Sequence, residues 1–167
     1  MRYLSPPARP RRQDGSVAVE AALIIALILV PLMAFILLFG RYFWYYTVAQ
    51  KAVHDATLYM ASAPLADIRS SGAPGMANHI IQSETADMDQ TTRSTLGPTT
   101  ECWFRFPANA PYLTPLACTT AAMTPVLVRT SVSMTVVDPF LAPMTASLTG
   151  SDGLPIIAQS TMRYVGR

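Results

Sequence analysis

Glu20 stands alone at the head of an uncharged apolar run that ends at Phe39, and four arginines, Arg2, Arg9, Arg11 and Arg12, precede it. A carboxylate placed there has two chemical uses. In the first turn of a helix it interacts favourably with the positive end of the helix dipole and stays at a wet interface. Drawn into a membrane or a filament core, it costs several kcal/mol unless a cation pairs with it. A peptide cut just before Ser16 would create an α-amine able to be that partner.

Other residues that do chemistry elsewhere form no constellation here. His54 and His79 lie in helical contexts with no nucleophile arranged beside them, so no catalytic residue and no enzyme is expected. Glu84, Asp87 and Asp89 lack the Asp-x-Asp-x-Asp-Gly loop and closing Glu of a calcium site and read as a solvated acidic edge. No phosphate-binding glycine loop occurs, and neither a metal nor a cofactor is expected. Cys102 and Cys118 are spaced too widely for a redox Cys-x-x-Cys, and a structural zinc needs four ligands. In an exported domain two such thiols form a disulfide; the alternative is a pair of unbonded buried thiols.

The elements that position these residues begin with the stretch from Ala21 to Phe39, about long enough to cross a bilayer core as a helix. A secretory signal peptide has its apolar region upstream of the cleavage site, whereas here the basic segment RPRRQDG comes first. The span is therefore expected to stay in the mature chain. Removing residues 1–15, with four arginines and one aspartate, takes the formal charge from +2 to −1. Arginines flanking a first span hold that flank in the cytoplasm. The expected topology is single-pass in an inner membrane, with the amino terminus cytoplasmic and the carboxyl domain periplasmic. The remaining basic residues are scattered singly, which argues against nucleic-acid binding.

Gly15, Ser16 and Glu20, with the basic leader before them and the apolar helix after, resemble a prepilin peptidase site, and the chain is similar to the TadE-like family of minor pilins (pseudopilins) of the tight-adherence pilus system. A Cys pair, an alternating strand at Val126 to Val136 and the closing segment IIAQSTMRY extend the likeness. The resemblance implies cleavage between Gly15 and Ser16, which makes Glu20 the fifth mature residue. It also implies a subunit acting in pilus assembly, tip formation or adhesion, with prepilin peptidase, other pilin and minor pilin subunits and the assembly platform as partners. An uncleaved, single-pass anchored periplasmic interaction module is the rival reading, and a membrane-anchored enzyme is a third.

Within the span Ala18, Ala22 and Ala26 recur every four residues, either to let helices approach closely or simply because alanine favours helix. Tyr42, Phe43, Trp44, Tyr45 and Tyr46 follow it beside Arg41 and read as an outer membrane-interface belt. No helix breaker lies between Arg41 and Pro64. Tyr45, Val48, Ala49, Ala52, Val53, Ala56, Tyr59, Met60 and Ala63 keep helical spacing there, opposite Thr47, Gln50, Lys51, His54 and Asp55. The span thus predicts an amphipathic continuation, one rod from Val17 to Ser62 of about 70 Å by helix rise, in which Pro31 removes one hydrogen bond.

Farther on, Leu65 to Gly75 reads as a turn region and Met76 to Asp89 as a short helix. Thr91 to Thr100 and Pro107 to Pro125 read as surface loops. Cys102, Phe104 and Phe106 alternate with Trp103 and Arg105, which suggests a short strand ending at Pro107. Val126 to Val136 alternates strictly, with Val126, Val128, Thr130, Val132, Met134 and Val136 on the core face. Ile156 to Tyr164 alternates likewise, and the stretch Asp138 to Pro155 is long enough to return the chain for antiparallel pairing. The expected fold is α+β: a leader at 1–15, a transmembrane and extended amphipathic helix at 16–63, and a small antiparallel β-sheet domain at 64–167.

Overall fold

In the computed structural model, residues 14–105, 111–119, 123–137 and 153–166 are described. Residues 1–13 of the expected leader, Phe106 and Pro107, and residues 138–152 of the stretch expected to return the chain lie outside them. The chain divides into two compact units, one ending at Gly40 and one beginning at Arg41.

The first unit is helical throughout its described length, as the amino-terminal part of helix α1 (Asp14–Ser62). Leu, Ile, Val and Ala dominate it, and the helix continues through Pro31. Most of its apolar side chains are exposed, Leu27 and Leu37 each by 72%, while Leu38 is buried. The most apolar window has a mean hydropathy of 3.1 and the helix is long and apolar enough to cross a membrane. A helix apolar on every side needs an apolar surrounding.

In the second unit α1 continues to Ser62, the end set by Pro64, and shows one buried face. Tyr45, Ala49, Ala52, Val53, Ala56, Met60 and Ala63 belong to the core, while Thr47, Lys51 and His54 face solvent. Tyr59 is the one member of the expected face that stays exposed, at 37%, and Thr57 is buried in addition, its hydroxyl donating to the Val53 carbonyl at 2.6 Å.

Four strands form one antiparallel sheet in the order β2-β1-β3-β4: β1 (Gly97–Phe104), β2 (Thr114–Leu116), β3 (Leu127–Val136) and β4 (Leu154–Arg163). The α+β fold expected from the alternation is the one observed. In β3, Val128, Thr130, Val132, Met134 and Val136 are all buried, and β4 pairs with β3 along its full length, from Leu127 opposite Arg163 to Val136 opposite Leu154. Cys102 and Phe104 of β1 and Ile156 and Ala158 of β4 complete the sheet's contribution to a core shared with α1.

Four expected assignments are corrected. Leu65 to Gly75 is not a turn throughout, because α2 (Leu65–Arg69) buries Ile68 and α3 (Gly72–Glu84) begins within it. The prolines that suggested a turn sit at helix starts, where a missing N–H costs nothing, and Ser71 at φ 63° turns the chain between the two helices. Helix α3 ends at Glu84 instead of Asp89; at its carboxyl-terminal cap the Thr85 N–H and hydroxyl both donate to the Ile81 carbonyl, at 3.1 and 2.8 Å. Its buried face is formed by Ala73, Ala77 and Ile81. Thr91 to Thr100 is not a loop: it holds most of α4 (Gln90–Ser94) and the first half of β1. In Pro107 to Pro125, expected as loop, the short strand β2 lies against β1.

The end of α1 is closed by the carboxyl-terminal segment. The last carbonyls of a helix lack intrahelical partners, and here the N–H groups of Val165 and Gly166 donate to Ala61 O at 2.9 and 3.0 Å while the Tyr164 hydroxyl donates to Ala63 O at 2.9 Å. A Cβ at Gly166 would overlap the Ala63 carbonyl, so only glycine fits that approach. At the other end of β4 the Tyr42 hydroxyl donates to the Pro155 carbonyl at 3.2 Å. Strand β4 therefore runs alongside the Tyr42–Ala63 part of α1 in the same direction.

Candidate functional site

Gly15 and Ser16 lie in the first turn of α1. One turn on, Glu20 is exposed, and no other acid or base follows it in α1 before Arg41. Ala18, Ala22 and Ala26 are exposed as well and share one side of the helix at four-residue spacing. The structure thus places the acid and the small-residue stripe on an unobstructed apolar helix. A surface of this kind packs against lipid or against other helices.

In the second unit the start of the helix is held by a polar cluster. Arg41 Nε donates to the Tyr45 hydroxyl at 3.0 Å, one helical turn on, and Arg41 also pairs with Asp89 Oδ1 at 3.1 Å. The Tyr45 hydroxyl in turn donates to Asp89 Oδ1, and Asp89 Oδ2 accepts from the Thr92 N–H at 3.2 Å as the amino-terminal cap of α4. The Arg41 guanidinium lies over the Tyr45 ring at 5.4 Å. Partial burial pushes the Asp89 carboxyl up, but the hydrogen bonds from Tyr45 and Thr92 and the charge of Arg41 together bring it below its ordinary value. Burial and the Asp89 bond push the Tyr45 phenol up, and the bond to Tyr45 raises Arg41.

Of the five aromatics read as an interface belt, Phe43, Trp44 and Tyr46 are exposed and Tyr42 is half-buried. Tyr45 is turned into the core, 2% exposed. The acidic edge expected at Glu84, Asp87 and Asp89 is not simply solvated: Asp89 caps α4 and anchors Arg41, and Glu84 meets Lys51 at 2.6 Å, a contact whose hydrogen bond raises the Lys51 pKa. Of these three acids, Asp87 alone is exposed and forms no ion pair among the described residues. The cluster was foreshadowed by the four-residue spacing of Arg41 and Tyr45 and by Asp89 standing three residues before Thr92, a capping pattern. No sequence signal joined the two halves.

Cys102 and Cys118 are disulfide-bonded, with Cα atoms 4.8 Å apart. The bond ties the buried end of β1 to the segment just after β2, so it holds the short edge strand in place. His54 and His79 are both exposed, and no group of three metal-binding side chains occurs among the described residues.

No curated protein and no solved structure matches the chain. Residues 15–58 match the family model of TadE-like proteins, so the chain is similar to that family over the stretch from the Gly15–Ser16 junction through Glu20 and the apolar helix to the buried Tyr45–Ala56 face.

Proposed function

We propose that this chain is a minor pilin of a tight-adherence type pilus, cut by a prepilin peptidase between Gly15 and Ser16 and acting in pilus assembly, tip formation or surface adhesion. The TadE-like match associates it with a pilus at the coarser level. The observation that carries the finer reading is the combination within α1: a helix apolar on every side, with one acid near its head and a small-residue stripe beside that acid. In this reading the helix first anchors the chain in the inner membrane, amino terminus cytoplasmic, and later packs with the helices of other pilin subunits. Phe43, Trp44 and Tyr46 sit at the outer interface. The α-amine of the processed Ser16 neutralises Glu20 in an apolar setting, where an unpaired carboxylate is costly.

The amino terminus of the membrane-extracted protein tests this. Intact mass beginning at Ser16 is expected in cells with an active prepilin peptidase. Retention of Met1 in such cells removes the pilin reading and leaves an uncleaved anchored domain.

A further inference from the structure

Among the described residues, the sheet of the second unit ends in two edges that no further strand covers, and their chemistry is complementary. In an antiparallel strand, successive residues direct N–H and C=O to opposite sides. The Tyr164 N–H bonds Val126 on the β3 side, and the Pro155 carbonyl accepts from Tyr42. The odd positions of β4, Ile157, Gln159, Thr161 and Arg163, therefore direct their backbone away from β3, and no described residue bonds them there. Natural edges are blunted by charge, proline, bulges or shortness. Strand β4 has ten residues with neither charge nor proline from Ile156 to Met162, and Ile157 is 67% exposed.

On the far side, the Trp103 carbonyl accepts from Val126, so β1 turns Pro98, Thr100 and Cys102 away from β3. Strand β2 covers Cys102 but not Thr100 or Pro98. Proline suits such a position, where no ladder N–H is needed. Glu101 and Arg163 lie on the outer face, one at each open edge; both are exposed and neither forms an ion pair among the described residues.

We infer that β4 of one copy pairs with the open half of β1 of a second copy, in parallel, with Arg163 against Glu101. Strands β1 and β4 both run antiparallel to β3, so a copy displaced sideways brings them together without inverting either chain. The end of β2 blocks further sliding and sets Arg163 opposite Glu101. In that register Thr161 N–H donates to Pro98 O, Thr100 N–H to Thr161 O, and Arg163 N–H to Thr100 O. The contact is head-to-tail, so it leaves one free edge of each kind for the next copy. Few ladder bonds make it weak in solution; confinement in one membrane raises the effective concentration. The inference rests on the membrane-anchored assembly reading.

The test uses the full chain in lipid vesicles, with Arg163→Lys to supply an amine and a carbodiimide to join it to a carboxylate. Equal amounts of nitrogen-15 and ordinary chains separate links between chains from links within one. A mixed-label peptide joining Glu101 to the amine introduced at position 163 is expected, lost in Glu101→Gln and lowered about tenfold in Thr161→Pro, which removes one outward donor. Circular dichroism of Thr161→Pro should match the parent because that N–H takes no part in the β3 ladder. Absence of mixed-label product, or a yield indifferent to Thr161→Pro, overturns the inference. A chain cleaved at Gly15 and incorporated into pili without this link leaves the proposed function standing; a linked chain never cleaved does the reverse.

Discussion

Replacing Asp89 examines whether the Arg41–Tyr45–Asp89 cluster holds the second unit together. Asp89→Ala removes three things at once: the cap on α4, the acceptor for the Tyr45 hydroxyl and the partner of Arg41. A lost cap costs about 1 kcal/mol, and a hydrogen bond to a charged acceptor about 1.5–3 kcal/mol. The side chains of Arg41 and Asp89 are 37% and 28% exposed, so their ion pair adds only about 0–1 kcal/mol. Because the three share one carboxylate they do not sum, and about 3 kcal/mol is expected, roughly a 10 °C fall in Tm. Asp89→Asn keeps the cap and loses the charge, so it should fall short of Asp89→Ala by about 1 kcal/mol. The assay is thermal unfolding of the full chain in detergent, followed by near-ultraviolet circular dichroism. Both variants melting within about 0.5 kcal/mol of the parent would refute the reasoning, since that is what an ordinary exposed acid gives.

The same carboxylate sets a pH dependence: its folded pKa is depressed, so its contribution is complete above the unfolded value near about 4 and is lost as pH falls through the folded value. Melting between neutral pH and pH about 3 should therefore fall more steeply in the parent than in Asp89→Asn. At the end of α1, Gly166→Ala should destabilise by about 1–3 kcal/mol through overlap with the Ala63 carbonyl, and Tyr164→Phe by about 1 kcal/mol through the lost bond; denaturant unfolding measures both. Reduction of Cys102–Cys118 should lower stability by about 3 kcal/mol in the chain-entropy account, read from melting with and without reductant, and an unchanged melt would deny the bridge any part in holding β2. Glu20→Gln should leave membrane insertion and cleavage intact while depleting the protein from pili, as fractionation would show; normal pili with normal amounts of the variant would defeat the pairing with a processed amino terminus.

The amino-acid sequence by itself determined the elements whose periodicity is long and uninterrupted. Helix α1 to Ser62, strand β3 with its buried even-numbered face and the antiparallel β4 were legible because apolar side chains recur at 3.6 or 2 residues over many positions, and no competing arrangement buries the same set. The run to Phe39 likewise announced a membrane-length helix, since composition alone fixes hydropathy. Tertiary structure decided what short segments become. Pro64, Pro74 and the threonines of 91–100 carry local turn preferences, yet burial of Ile68, Ala73 and Thr92 supplies enough packing to make helices there. It also decided partners far apart in the chain: Tyr45 reads locally as one more interface aromatic, and Asp89 as a solvated acid, until folding brings them within hydrogen-bonding distance across 44 residues. The closure of α1 by Tyr164 and Gly166 is of the same kind, because a helix end needs acceptors satisfied but places no mark on the distant residues that satisfy them.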